Sequence, residues 1–392
     1  MEKLPVNCKT IFSGAFLLTL AAFAPLLAWK ALRTHQARRL AEQFPLKRLF
    51  VELNGAAHRV AGRRWCNETY RSLAGTLLSE LKGRGGTSEI EAQIAAFERW
   101  LKARGVKYVY VQTPAKIDRA GSMLPAGFAH RGNVRTDALL ASLVKSGVRV
   151  IDLRTELTAS PQDVVRNFYV GDHHWNNDAV FRVFRFVAPE IARVCGDDPA
   201  VVEPFVSETA WKRVVWPQCF MGTKTRRTGR IFGGLDDLVV YTPCFATDMS
   251  IDIPGKGVRL SGDFKRTIMR HAGKIHEGGT DGFGRDAYSL LYIGGTYGVV
   301  KHANPGAPLK RRVLLVGDSF ARPLEAFLST VVTDLIVLDQ RRFAPGETVA
   351  GFVESFKPDL VLQLNNPSAL GADTLSGPKK HRSVLFEYGD LR

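Results

Sequence analysis

The stretch RRVLLVGDSFARP, residues 311–323, passes from two arginines through the apolar run Val313 to Val316 and stops at Gly317-Asp318-Ser319. A short β-branched run ending on glycine reads as a buried strand, a tight turn and the start of a helix. At the carboxyl end of a parallel strand Ser319 would face the crevice where α/β sheets bind ligands. The plainer alternative is that Asp318 or Ser319 only caps the next helix. A nucleophilic serine also needs an imidazole, and the only downstream histidine, His381, sits in a polar tail containing Gly and Pro that reads as poorly ordered. The base is therefore expected upstream.

Working outward, residues 88–105 place Ile90, Ile94, Phe97 and Leu101 at helical spacing, with Ser88 as N-cap and Gly105 as the stop. The run VKYVYVQTP, residues 106–114, follows as a strand. The alternation continues with a helix near 136–145 and a strand at 148–153. It resumes with strands at 313–316, 335–338 and 360–364, separated by helices near 323–331 and 348–356. Short apolar strands alternating with helices imply an α/β fold, a parallel sheet with helices on both faces.

Residues of about 200–308 differ: they are rich in glycine and aromatics, without a long helical pattern. They read as an insertion of loops and short antiparallel strands, pinned by a Cys219–Cys244 bridge. The predicted division is an N-terminal tail and anchor at 1–32, a connecting segment at 33–87, a catalytic domain at 88–375 carrying the insertion, and a tail at 376–392.

With 45% hydrophobic and 23% charged residues the chain is globular, neither disordered nor fibrous. Residues 11–29 carry no charge, enough helix to cross a hydrocarbon layer of about 30 Å. A cleaved signal peptide is the rival, but the run exceeds the usual apolar region of about 7–15 residues. Lys30, Arg33, Arg38 and Arg39 follow the run, which by the positive-inside tendency alone keeps the main domain cytoplasmic. The even set Cys66, Cys195, Cys219 and Cys244 argues the other way, for two disulfides in an oxidising compartment; isolated thiols are the alternative. A net charge of +16 favours anionic partners, either lipid headgroups or an acidic polymer. No nucleic-acid-binding signature is present, so nucleic acid is not expected.

The second constellation is FYVGDHHWNNDAVFRVF, residues 168–184. Asp172, His173, His174 and Trp175 stand in a turn between the strand-like NFYV and a helix with Val180, Phe184, Val187 and Ile191 on one face. A neutral imidazole activates a serine hydroxyl, and a carboxylate fixes the tautomer and stabilises the imidazolium. Asp172 and a neighbouring histidine supply both from one loop. A metal held by Asp172, His173 and His174 lacks a further ligand at recognisable spacing, so no metal is expected. Asp172 as a helix cap, and His173 in place of His174, remain open on sequence alone.

Ser319 in GDSF, with Asp172-x-His174 upstream, resembles the SGNH hydrolase superfamily, and the order is similar to the periplasmic alginate O-acetyltransferases. The likeness is greatest to the DHHW protein family, whose motif stands unaltered as Asp172-His173-His174-Trp175. FVELNGAAHRVAG, TPAKID, DQRRF and PDLVLQLNN also resemble that family's pattern. The resemblance implies an SGNH-hydrolase-like (flavodoxin-like) fold, with Ser319 as nucleophile, His174 as base and Asp172 as its orienting carboxylate. It implies an oxyanion site of the Ser319 backbone N–H with Asn365, Asn366 or Arg341 from the following loops, beside Gly317. Surface solvation for Arg341 and a turn before Pro367 for the asparagines are the plain alternatives. Trp175 either lines an acceptor subsite or packs in the core. Typical SGNH enzymes place both Asp and His after the serine and separate them by two residues. The reversed order and single spacer here fit the acetyltransferase branch.

The expected function is a single-pass, membrane-anchored, extracytoplasmic O-acetyltransferase acting on an exported or surface polysaccharide, anionic polymers included. It requires no cofactor and receives acetyl groups from a membrane acyltransferase partner. A carbohydrate esterase and a non-catalytic polysaccharide-binding component are the alternatives.

Overall fold

The computed structural model describes residues 47–79, 86–127, 132–277, 287–370 and 384–392. The apolar run 11–29 and His381 lie outside the described residues, among which no helix is long and apolar enough to cross a membrane.

The chain opens with α1 (Lys47–Val60) and a small antiparallel sheet of β1 (Trp65–Cys66), β2 (Thr69–Arg71) and β3 (Leu77–Leu78). Next come α2 (Ser88–Ala103), β4 (Lys107–Gln112), α3 (Gly132–Lys145) and β5 (Val150–Asp152). In α2 the periodic Ile94, Phe97 and Leu101 are buried, and the chain leaves it through Gly105 at φ 72°. The N-cap is Thr87 rather than Ser88, and its hydroxyl bonds the Glu91 carboxylate instead of a backbone N–H.

Helix α4 (Pro161–Asn167) starts with a reciprocal Ser160–Asp163 capping box and Pro161 in its first turn. The strand-like reading of NFYV is thereby corrected: Asn167 ends the helix, and Phe168 forms only an isolated bridge with Trp175. Local capping outweighs the β-propensity of four residues. Helix α5 (Asn177–Cys195) is capped by Asn176, whose side chain accepts the Ala179 N–H, and ends on left-handed Gly196. Asp172 therefore does not cap it.

The region predicted as an insertion contributes a hairpin of β6 (Trp211–Phe220) and β7 (Asp236–Pro243), with α6 (Thr223–Thr228) and α7 (Arg230–Gly233) in its connection. It continues with β8 (Met249–Ile253), β9 (Val258–Gly262), the short α8 (Ala287–Leu291) and β10 (Val299–Ala303). The chain then runs β11 (Leu309–Gly317), α9 (Ala321–Leu328), β12 (Val332–Leu338), α10 (Val349–Phe356) and β13 (Leu360–Asn365).

The central sheet has eight strands in the order β5-β4-β13-β11-β12-β10-β8-β9. The five strands legible in the sequence are its parallel part; β10, β8 and β9 extend it antiparallel. Met249, Ile251 and Ile253 alternate with less buried Ser250 and Asp252, the signature of an antiparallel strand buried on one face. One apolar core packs α5 and α9 against the sheet through Phe181, Phe184 and Phe327. The opposite face buries α2, α3 and α10 with Phe97, Leu139 and Val353.

Two further expectations are corrected. All four described cysteines are free thiols. The β6–β7 ladder runs from Trp211 opposite Pro243 to Phe220 opposite Asp236. Cys219 and Cys244 thus stand at opposite ends of the hairpin, on the order of 25 Å apart at the rise of an antiparallel strand. A disulfide needs Cα atoms within about 7 Å. Cys66 accepts a bond from Asn54 of α1, whereas Cys195 lies beside Arg311 at the start of β11. The tail is also no loose end over residues 384–392: Leu385, Phe386 and Tyr388 are buried, and Tyr388 stacks on Phe97 with ring centroids 3.9 Å apart.

Candidate active site

Gly317 closes β11 beside Leu364 of β13. A Cβ there would lie 2.8 Å from the Leu364 carbonyl oxygen and 2.9 Å from Ala321 Cβ, so only glycine allows the turn to approach so closely. Buried Asp318 braces it. One carboxylate oxygen accepts the Phe320 N–H at 2.9 Å and the other the Asn366 N–H at 2.8 Å, tying the ends of β11 and β13 together. Phe320 is the N-cap of α9, without a side-chain cap bond. Ser319 is thus left to face outward.

Its hydroxyl meets His174: Oγ and Nε2 are 2.8 Å apart, across 145 residues of sequence. His174 Nδ1 lies 2.6 Å from Asp172 Oδ1. Since an ionised carboxylate only accepts, the proton belongs on Nδ1, which leaves Nε2 to accept from Ser319. The other Asp172 oxygen accepts the Thr223 N–H at 2.6 Å. Burial opposes ionisation of Asp172, but the adjacent His174 and His173 and these hydrogen bonds hold its carboxyl well below the usual range.

The loop carrying Asp172 and His174 lies outside the sheet and is held from beneath. Gly171 carbonyl accepts the N–H groups of Lys224 and Thr225 at 3.0 and 3.1 Å. A Cβ on Gly171 would come within 2.2 Å of Thr225 Oγ1, and one on Gly222 within 2.3 Å of the Gly171 oxygen. These paired glycines let α6 seat against the loop. Asp236, at the start of β7, accepts the Val170 and Gly171 N–H groups. Lys116 Nζ donates to the Val170 and Asp172 carbonyls at 2.6 and 2.8 Å. Lys224 Nζ bonds Ser79 Oγ. Burial lowers the Lys116 ammonium from its ordinary range, raises Asp236, and brings Lys224 down to about 8.

Among the residues proposed from sequence, Ser319, His174, Asp172 and Gly317 converge, and His174 rather than His173 reaches the serine. His173 is 46% exposed, with Nδ1 3.2 Å from Thr223 Oγ1 and its ring 3.8 Å from that of His174. Asp172, His173 and His174 offer ligand atoms within 4.8 Å of one another. Both ring nitrogens of His174 are nevertheless engaged by Asp172 and Ser319, so a cation held there would displace the relay. Trp175 is fully buried, its ring 5.4 Å from that of Phe320; the acceptor-subsite role is corrected to packing beneath the loop.

Arg341 spends its guanidinium on Asp339, with two bonds of 2.8 Å. Asn365 is buried, its Oδ1 accepting from Gln363 at 2.9 Å. Its amide nitrogen is closed to solvent and has no partner among the described residues. Asn366 is the asparagine joined to the serine turn, through its backbone bond to Asp318.

Sequence reasoning assigned no role to Lys116, Thr223, Lys224, Asp236 or Tyr288. Lys116 stands in the TPAKID motif, a weak signal without a chemical pattern; the others lie in the divergent region. The Tyr288 ring stacks on His174 with centroids 4.0 Å apart at 17°, and its hydroxyl donates to the Ser319 carbonyl at 3.3 Å. Tyr288 and Phe320, whose ring lies 5.0 Å from His174, limit how the imidazole can turn.

Comparison with known proteins bears on the family likeness and the fold. Residues 73–212, less than half of the chain, match the family of SGNH hydrolase-like domains of acetyltransferase AlgX. The sequence has no match among curated proteins. Among solved structures, Bacillus cereus PatB1 with a sulfonyl adduct superposes with a TM-score of 0.61 at 18% identity, covering 80% of this chain and 96% of that one. A DHHW family protein from Eubacterium siraeum DSM 15702 gives 0.58 at 15% identity, covering 79% and 94%. Over residues 73–212 the chain thus resembles the SGNH hydrolase-like domain of acetyltransferase AlgX, and its fold is that of PatB1 and the DHHW protein.

Proposed function

We propose that the chain is a membrane-anchored, extracytoplasmic O-acetyltransferase that passes an acetyl group through Ser319 to a hydroxyl of an exported or surface polysaccharide. The observation that carries the reading is the unbroken hydrogen-bond line from Ser319 through His174 to Asp172. The AlgX-type match over residues 73–212 supports acetyl transfer as the reaction class.

In the first half-reaction Ser319 Oγ attacks the acetyl carbonyl carbon and its proton moves to His174 Nε2. The Ser319 backbone N–H and the Asn366 side-chain amide are the oxyanion donors we assign. The tetrahedral species expels the donor's leaving group, which takes the proton from Nε2, and Ser319 is left acetylated. In the second half a sugar hydroxyl gives its proton to Nε2 and attacks the ester. Collapse returns the proton to Ser319 Oγ and releases the acetylated sugar. Asp172 stays ionised throughout and stabilises the imidazolium. No cofactor enters the scheme; the donor is an acetyl group supplied by a membrane acyltransferase partner, and the basic chain suits an anionic polymer.

The test is Ser319→Ala. The variant should neither acetylate polysaccharide nor react with a sulfonyl fluoride, whereas the unaltered chain should do both. Undiminished polymer acetylation by the variant would falsify the assignment. Hydrolysis of a chromogenic acetyl ester with and without oligosaccharide separates transferase from esterase: transfer requires acetylated sugar, and acetate alone means an esterase.

A further inference from the structure

Helix α1 has two unlike faces. Inward, a Cβ on Gly55 would fall 1.8 Å from the Thr228 carbonyl oxygen, so the helix lies in direct backbone contact with the end of α6. Glu52, its only acid, receives the Arg230 N–H at 2.8 Å and Arg230 Nε at 3.0 Å. Outward stand Leu49, Leu53 and Val60, which are 51%, 37% and 88% exposed. At about 100° per residue these three positions share one narrow sector, and Gly55 lies on the far side. Ile231 on α7, which packs against α1, is exposed as well. Lys47, Arg59, Arg63 and Arg64, in the helix or just after it, are exposed as well.

Singly scattered apolar side chains need no explanation, but a stripe along one helix does. The basic character of the same segment identifies what fits. A second copy would oppose cation to cation, whereas an anionic bilayer meets both features at once, taking leucine and valine at the acyl boundary and lysine and arginine at the phosphates. The uncharged run 11–29 ends eighteen residues before Lys47 in the same chain.

We infer that α1 lies flat on an anionic lipid surface, with Leu49, Leu53 and Val60 in the interface. This draws on the anchor reading for proximity, not on the acyl transfer. It has a consequence for the site: α1 rests on α6, and the first residue of α6, Thr223, holds Asp172. Only α6 and α1 then lie between the catalytic loop and the lipid, which suits a donor group handed over at the membrane.

The experiment uses the full chain reconstituted in vesicles of phosphatidylglycerol and phosphatidylcholine, with a diazirine-bearing phenylalanine analogue placed singly at position 17, 53 or 144. Position 17 reports the apolar run, and Val144, exposed on α3, is the control. The expected result is lipid adducts from 17 and 53 and none from 144, with the yield at 53, not at 17, falling when phosphatidylglycerol is omitted. Adducts from 17 without any from 53 overturn the surface placement and leave the anchor standing. Adducts from 53 to a second copy, or to the chain's own residues, overturn it equally. Lipid adducts from 53 without any from 17 uphold the placement and remove the anchor.

Discussion

Two loops meet at the site, and they are held by different means. The turn bearing Ser319 is an extension of the parallel sheet: a buried strand ends, glycine permits close approach to β13, and Asp318 laces two strand ends together. The loop bearing Asp172 and His174 leans instead on groups far from it in sequence, namely Lys116, α6 and Asp236. Positioning of the serine is therefore a property of the fold's most regular part. Positioning of its base is a property of four buried charges and two facing glycines.

The sharpest break comes at Asp172. Replacing it with Asn keeps the shape but puts an amide where two N–H groups and an imidazole need acceptors. Turnover should fall by about 10³–10⁴-fold, as expected when the imidazole loses its oriented tautomer. The same carboxyl titrates lower in the folded than in the unfolded chain, so it adds stability above the unfolded carboxylate value of about 3.9. That contribution is lost as pH falls from there through the folded value. Urea midpoints of the two proteins should therefore differ at pH 6, and the gap should narrow as pH falls below about 3.9; a constant gap would mean that Asp172 is not the group responsible.

Lys116→Met asks whether the loop needs its buried ammonium. Methionine fills a similar volume but leaves the Val170 and Asp172 carbonyls without that donor. A displaced base costs rate more than binding, so kcat should drop about 10- to 100-fold with KM little changed. The serine turn gives the contrast, because sulfonyl-fluoride labelling should slow in parallel with turnover if only the base has moved. Loss of binding with kcat intact would show that Lys116 serves the substrate instead.

How much of this was legible follows from the same contrast. The GDSF turn announces itself because strand, glycine and helix start are consecutive, and parallel strands are short apolar runs that need little context. Asp172 and His174 were legible as residue types, and the DHHW resemblance joined them to Ser319, but nothing near them in sequence encodes their support. The charge of Lys116 reads as surface until Asp172 is known to lie over it. Likewise β8 and β10 look like isolated hairpin pieces, because sheet membership depends on register with β12, which periodicity does not reveal. Trp175 stayed open between two roles for a related reason: an aromatic beside a histidine is compatible with a sugar platform and with the core, and only burial decides.

Tyr288 probes the contact between the two loops themselves. Tyr288→Phe keeps the ring over His174 and removes the hydroxyl that makes the long bond to the Ser319 carbonyl. The rate should fall by a factor of about two to five, the worth of one weak hydrogen bond. Tyr288→Leu also removes the stacking ring and should cost clearly more. Equal losses in the two variants would assign the role to the hydroxyl alone.

The smallest effect is expected where the sequence suggested a covalent tie. A Cys219–Cys244 bridge would have fastened the divergent region that supports Asp172, and removing a native disulfide costs about 2–5 kcal/mol. With the two residues at opposite ends of the β6–β7 hairpin, nothing covalent is there to lose. The double variant Cys219→Ser, Cys244→Ser should stay within about 0.5 kcal/mol of the parent in urea unfolding, as most substitutions away from tight packing do. Added dithiothreitol should move neither midpoint. A fall in the parent alone on reduction would reveal a bridge, and the base-bearing loop would then owe its position to a covalent staple instead of to Lys116, Asp236 and the glycine contact beneath it.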